Sequence, residues 1–211
     1  MVAAMVVDGA AHRAAGPARA AMWFELVGLF EYPTDGLVES ARSGRLTSDI
    51  AGAAAGLPYP LDVPAFDDLP PDPPGMGSEF IRLFDVPSAG TPCPLYLGAL
   101  GGDRRTTMED LLRFYRHFGL SVVHAEERDL PDSVPTVLEF LGYLVEREQL
   151  DPNGGDDERR AQRDLLQRHL VRGASVIRER VARLDPPAFY AGATALLEEL
   201  VHAEATALTG G

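Results

Sequence analysis

The chain has a single cysteine, Cys93, held between two prolines in "TPCPLYLG". A thiol in that setting can be a nucleophile, one corner of a metal site, or a small filler in a stiff loop that serves as a surface. A nucleophilic cysteine needs a base within reach to hold its thiolate. His117 in "RHFGL" and His124 in "VVHAE" are available, but no spacing brings either to Cys93. Zinc requires clustered Cys and His at recognisable intervals. His117 and His124 stand seven apart, His169 and His202 stand alone, and neither HExxH nor CxxC occurs. "GALGGD" has the glycines of a phosphate loop without its Lys–Ser/Thr ending or a preceding strand. Acidic residues number 32, so paired-carboxylate chemistry can be written for many of them and is singled out by none. The residues carry no enzyme signature. A small helical enzyme or nucleotide-dependent factor using Cys93, or the acids Asp132 and Glu139, stays as the alternative, beside a generic helical adaptor.

More distinctive is the density of aromatic residues and prolines where loops meet helices: Tyr32 and Pro33, Phe80, Phe84, Pro92, Pro94 and Tyr96. Such residues are stiff and lose little side-chain entropy on contact, which suits the walls of a peptide groove. The same residues could instead pack a corner between the two halves of the chain, and a groove wall is commonly packed from behind.

The elements that would position them are helices. Trp23, Leu26, Val27 and Phe30 recur at helical spacing between Arg19 and Tyr32, and Pro33 ends the run. Thr34 offers an N-cap for a short second helix through Leu46, and Thr47–Leu57 can continue helically. Residues 57–78 hold seven prolines and four aspartates and read as an extended connector. A short helix clusters Phe80, Leu83 and Phe84 and closes at Pro87. In the next, Met108, Leu111, Leu112, Tyr115 and Phe118 share a face ending at Gly119. Val134, Val137, Leu138, Leu141, Leu144 and Val145 form the stripe of a third, with Pro131 and Pro135 in or before its first turn. "DPNGGDD" reads as a flexible break, followed by a long helix over 157–184 and a last one over 188–207. The one brief β-like run, "LSVVHAE", reads as a loop. The expectation is an all-α, single-domain helical bundle over residues 17–208, preceded by a flexible N-terminal tail over 1–16.

Composition is that of a globular protein, 45% apolar and 24% charged in 211 residues. Net charge is −13, and all nineteen basic residues are arginine. That balance argues against general nucleic-acid binding, which needs positive potential. It suits a basic partner, or an acidic surface that keeps the protein in solution. One cysteine cannot close an internal disulfide, the first twenty residues lack a secretory pattern, and no apolar run is long enough to span a bilayer. The expectation is a cytoplasmic protein with no membrane partner.

In order, "EFIRLF", "PCPLYLG", "MEDLLRFYRHFGL" and "LPDSVPTVLEFLGYL" resemble the TorD/DmsD/NarJ family of molybdoenzyme maturation chaperones. The likeness runs from about Trp23 to Glu148, and the central block is most similar to the delta-subunit chaperones of the type II dimethyl sulfoxide reductase group. The resemblance implies an all-helical, non-catalytic protein without a cofactor of its own, working as a monomer or a homodimer. Its partner would be an apo molybdenum-containing catalytic subunit and its N-terminal twin-arginine leader, held until the molybdopterin cofactor is inserted. In the family, the segments matching "PCPLYLG" and the "PD" before the next helix lie by the peptide-binding region. Carried over, and joined to the aromatic residues above, they give client-binding candidates Tyr32, Phe80, Phe84, Pro92, Pro94, Tyr96, Asp132, Glu139 and Phe140. Asp132 is equally placed to be the N-cap of its helix. Ser133 stands where the family usually has a histidine, so no role of that histidine, a guanine-nucleotide contact included, transfers. Leu95 and Tyr96 stand where export-leader binders commonly carry tryptophan.

Overall fold

A computed structural model describes residues 8–72, 75–85, 90–121 and 130–209. The expected stop at Pro87, the histidine His124, most of the "LSVVHAE" run, and Pro73 and Pro74 of the connector lie outside them. The described residues are all-α: α1 (Gly9–Ala14), α2 (Gly16–Phe30), α3 (Asp35–Arg42), α4 (Arg45–Ala55), α5 (Gly75–Phe84), α6 (Arg104–His117), α7 (Val134–Leu150), α8 (Asp156–Leu165), α9 (Val171–Ala182) and α10 (Ala188–Thr209). Leu97–Leu100 is a 3-10 turn, and Leu166–Leu170 is a π turn that joins α8 to α9. The long helix expected over 157–184 is therefore one rod with a widened turn in it. Its carbonyls and amides are still paired along the chain, so the apolar face continues through Leu165, Leu166, Leu170, Ile177 and Val181.

Helix boundaries follow local chemistry. Thr34 caps α3 by accepting the Leu37 amide proton on its Oγ1 at 3.2 Å. Gly44, with φ of 73°, turns the chain between α3 and α4, a left-handed conformation that favours glycine. Leu46 accordingly belongs to α4 and not to the end of α3, where the sequence reading had put it. Pro135 lies in the first turn of α7, where its missing donor costs nothing. The break between α7 and α8 is a tied turn: the Asp151 carboxylate accepts from the Asn153 and Gly155 amides at 2.9 and 3.1 Å.

The centre is the pair α2 and α7, with α4 packed on α2, α8 on α7, and α10 on α2, α8 and α9. Met22, Trp23, Leu26, Leu29 and Phe30 of α2 meet the α7 stripe of Val134, Val137, Leu138, Leu141, Leu144 and Val145, all buried. Each such side chain removed from water contributes about 1.5–3 kcal/mol. The connector is pinned to this core rather than spanning open solvent. Tyr59 and Phe66 are buried, Phe66 against Phe189 with ring centroids 5.4 Å apart, and the Phe66 amide donates to Thr47 Oγ1 at 2.9 Å.

One expectation is corrected outright. Part of the stretch assigned to a loose tail, residues 9–14, is helix α1, capped by Asp8, with His12 fully buried. The reason is a buried polar cluster with Arg19 at its centre. Arg19 donates from Nε and Nη2 to the two Glu204 oxygens at 3.0 and 2.9 Å, and from Nη1 to Glu148 at 3.2 Å. Gln162 bridges Arg19 and Glu148, and Arg159 donates to the other Glu148 oxygen at 3.0 Å. The Tyr59 hydroxyl donates to Glu204, and His12 Nε2 lies 3.4 Å from the same carboxylate. Six segments, α1, α2, the connector, α7, α8 and α10, thus meet at one set of charges.

Burial alone would push the Glu204 carboxyl up, but the Arg19 guanidinium, assisted by His12, outweighs it and holds the group down at about 2, against an ordinary value of 4.5. A depressed carboxyl stabilises the fold above its unfolded value, and that contribution disappears as pH falls from 4.5 towards about 2. Thermal unfolding followed across this range should show the midpoint falling below pH 4.5, with a shallower acid limb in Glu204→Gln. At neutral pH, Arg19→Met strands two buried carboxylates and should cost about 3–5 kcal/mol in denaturant unfolding.

Candidate functional site

Between the α2–α3 corner, α5, the Thr91–Leu97 segment and the start of α7 lies a cleft of about 760 Å³. Its walls are two aromatic groups. On one side, Phe84 packs against Phe30, Phe80 and Tyr190, and Phe80 also against Tyr190, with Tyr32 edge-on to Phe80 at 5.8 Å. On the other, Phe140 packs between Tyr115 at 4.8 Å and Tyr143 at 6.2 Å, with Phe118 behind. Glu31, Asp85 and Glu139 bring carboxylates to the lining, and no described lining residue is basic. A cleft built this way takes apolar or aromatic side chains between its walls and favours a cation over an anion at its rim.

Helix geometry explains the convergence. Phe80 and Phe84 are four apart on α5 and share a face, as do Thr136, Glu139, Phe140 and Tyr143 on α7. Tyr32, with just over half its surface exposed, leaves the end of α2 just before Pro33.

Beside Tyr96 the cleft is bounded by a clasp between two loops. Tyr96 and Ser133 form an isolated antiparallel bridge. Within it the Leu97 amide donates to the Asp132 carbonyl and the Val134 amide to the Leu95 carbonyl, both at 2.9 Å. The Tyr115 hydroxyl donates to the Pro131 carbonyl at 2.7 Å. Burial raises the Tyr115 phenol well above its usual range, and the nearby Asp132 and Glu139 charges add to the effect. The Arg104 guanidinium stands 5.6 Å from the centroid of the Tyr96 ring.

Of the residues singled out from the sequence, Tyr32, Phe80, Phe84, Tyr96, Glu139 and Phe140 line this one cleft. Pro92 and Pro94 do not: Pro92 is exposed and Pro94 half-buried outside the lining. Asp132 does not reach it either. It is fully buried, and its Oδ2 accepts the Gly98 amide at 3.2 Å. Nor is it the helix cap, since Ser133 occupies that position with no side-chain bond. The loop geometry that frees the Gly98 amide draws the carboxylate inward, away from both expected roles. Cys93 is a buried filler, as expected. Its surface is fully covered and its sulfur lies 4.0 Å from the Ile177 carbonyl. Burial pushes the thiol up to about 11, with Arg180 pulling weakly the other way. No group of three or more potential metal ligands occurs among the described residues, and no described helix is long and apolar enough to cross a membrane.

Sequence reasoning missed Leu95, Tyr115 and Tyr143 as lining residues, and Gly98 as the clasp's pivot. Tyr115 reads as part of a helix's buried face, which it also is, and Leu95 only as standing where leader binders commonly carry tryptophan. For Gly98 the signal is invisible in a sequence: a Cβ there would lie 2.6 Å from the Arg104 Cα and 3.0 Å from the Asp132 Oδ2.

The described residues are thus all-α, with an aromatic cleft that carries carboxylates in its lining and with the lone thiol buried. A family model described as nitrate reductase delta subunit matches residues 69–172. The selenate reductase assembly chaperone protein of Thauera selenatis is 33% identical over 138 residues, covering 63% of this chain and 70% of that protein. The perchlorate reductase assembly chaperone protein of Dechloromonas aromatica (strain RCB) is 36% identical over 136 residues, 59% of this chain and 57% of that one. The chlorate reductase assembly chaperone protein of Ideonella dechloratans is 32% identical over 111 residues, 50% and 57% respectively. The chain therefore spans a little over half the length of the last two. It belongs to the nitrate reductase delta subunit family of molybdoenzyme assembly chaperones.

Two measurements bear on this geometry. Gly98→Ala forces the clasp apart against backbone and should cost about 1–3 kcal/mol in denaturant unfolding. Cys93 should stay unreactive towards a thiol reagent at pH 8 in the folded protein and react promptly in denaturant, because its side chain is fully covered and burial also pushes the thiol up to about 11.

Proposed function

We propose that this protein is a cytoplasmic maturation chaperone for the catalytic subunit of a molybdenum oxidoreductase. It binds the apo subunit before the molybdopterin cofactor enters and leaves once folding is complete, and it catalyses no reaction itself. The cofactor belongs to the client. The cleft receives an apolar segment of the client with arginine beside it, as in a twin-arginine leader. Apolar side chains sit between the Phe80–Phe84 and Tyr115–Phe140 walls, and the cation lies near Glu139.

The observation that carries this reading is the convergence of Tyr32, Phe80, Phe84, Tyr96, Glu139 and Phe140 on one open cleft of about 760 Å³. That size suits several side chains of a bound segment rather than a whole folded surface. Membership of the assembly-chaperone family supports it, as do relatives named for selenate, chlorate and perchlorate reductases. The net charge of −13 favours encounter with a basic segment. The enzyme reading loses its best residue in Cys93, whose thiol is covered and fully protonated near neutral pH.

The protein, tagged and purified from its own cells, should bring with it a catalytic subunit poor in molybdenum. Tyr96→Ala combined with Glu139→Gln should reduce that capture at least tenfold while leaving the thermal midpoint close to wild type. Undiminished capture by the double variant removes the cleft from the assignment.

A further inference from the structure

Asp132 was the acid expected to face the client, and it is the one that cannot. Its side chain has no exposed surface. One oxygen accepts the Gly98 amide at 3.2 Å, and the other is buried without a hydrogen-bond partner among the described residues. Beside it the main chain of Asp132 accepts the Leu97 amide, and the Leu95 carbonyl accepts the Val134 amide. Gly98 is hemmed in by the Arg104 Cα and the Asp132 carboxylate, so the turn that follows Tyr96 has one available seat. The side chain of Arg104, which begins α6, lies over the Tyr96 ring.

We propose that Asp132 is a positioning residue for the cleft: by accepting the Gly98 amide it fixes the turn that stands Tyr96 at the rim, and its charge takes no part in client recognition. The inference rests on the cleft being the client site, but its first test does not. An amide side chain offers the same acceptor without the charge, so asparagine should replace Asp132 and alanine should not. Burial raises the Asp132 carboxyl, with the Gly98 amide and Arg104 opposing, which agrees with a group kept for its acceptor rather than for its anion.

The test places 3-fluorotyrosine at position 96 of the full chain and records its fluorine resonance without ligand. The resonance should be unchanged in Asp132→Asn and displaced or broadened in Asp132→Ala. A resonance unchanged in both variants overturns the positioning role, whatever the protein binds. If Asp132→Ala does not fold, an amide-to-ester exchange at Gly98 takes its place, because it removes the N–H donor, adds no side chain and leaves the carboxylate. The second arm measures binding of a synthetic peptide with two adjacent arginines before an apolar run, over a series of salt concentrations. Asp132→Asn should bind within about threefold of wild type with the same salt dependence, whereas Glu139→Gln should bind about tenfold more weakly with a shallower one. A loss in Asp132→Asn matching that of Glu139→Gln makes Asp132 a charge contact and overturns the proposal. No binding by wild type tells against the client reading alone and leaves the fluorine result to decide on Asp132.

Discussion

The fold turns on a guanidinium with no water around it. Arg19 is completely buried, and an unpaired cation there would be untenable. The structure answers with two carboxylates, an amide and a second arginine, drawn from helices far apart in the chain. Because each partner would itself be a buried charge or dipole if left alone, the segments that carry them are committed together. Apolar packing between α2 and α7 provides most of the driving force. The charged cluster decides which arrangement of segments is admissible, since a shifted helix would strand a charge. This is why the short helix α1, which has little apolar surface, is held at a fixed place through His12, while Tyr59 adds a polar tie to the apolar contacts that pin the proline-rich connector.

With that end of the bundle anchored, the opposite corner can be left open. Aromatic side chains on α5 and α7 pack from behind on Tyr190 and Phe118 and leave their front edges as the walls of a cleft. An open apolar surface is ordinarily a liability. Here it is a bounded hollow between stiff walls, in keeping with membership of an assembly-chaperone family. The clasp between Leu95–Gly98 and Pro131–Val134 closes one side without a sheet, through a few main-chain bonds and one buried carboxylate.

Helical periodicity was readable wherever a helix buries one continuous stripe. The faces through Trp23 and Phe30, Leu111 and Tyr115, and Leu138 and Leu141 all lie in the core. It failed at α1, where six residues, three of them alanine, have no stripe and are ordered by one histidine's distant partner. It also failed at Gly44, whose left-handed turn splits what reads as a single run. The charged cluster had left a trace that went unread: Arg19 lies on the same face as Trp23, and Glu148 and Glu204 follow Leu144 and Leu200 by one helical turn. A charge on an apolar face announces a buried partner without saying where it is.

The sequence by itself determined the all-α class and the placement of the main helices, because spacing along a helix sets which side chains share a face. Of the six cleft residues it named, Tyr32, Phe80, Phe84 and Tyr96 came from the density of aromatic residues where loops meet helices, and Glu139 and Phe140 from the family resemblance. The sequence offered the filler reading of Cys93 beside two others, and the burial of the side chain selects it. Only the tertiary structure decided that Asp132 turns inward while Glu139 stays at the cleft, that Pro92 and Pro94 lie outside it, and that Gly98 is the pivot between them. Those choices depend on which backbone amide lies within 3.2 Å of a carboxylate across 34 residues of chain, and pattern along a sequence holds no record of such a meeting.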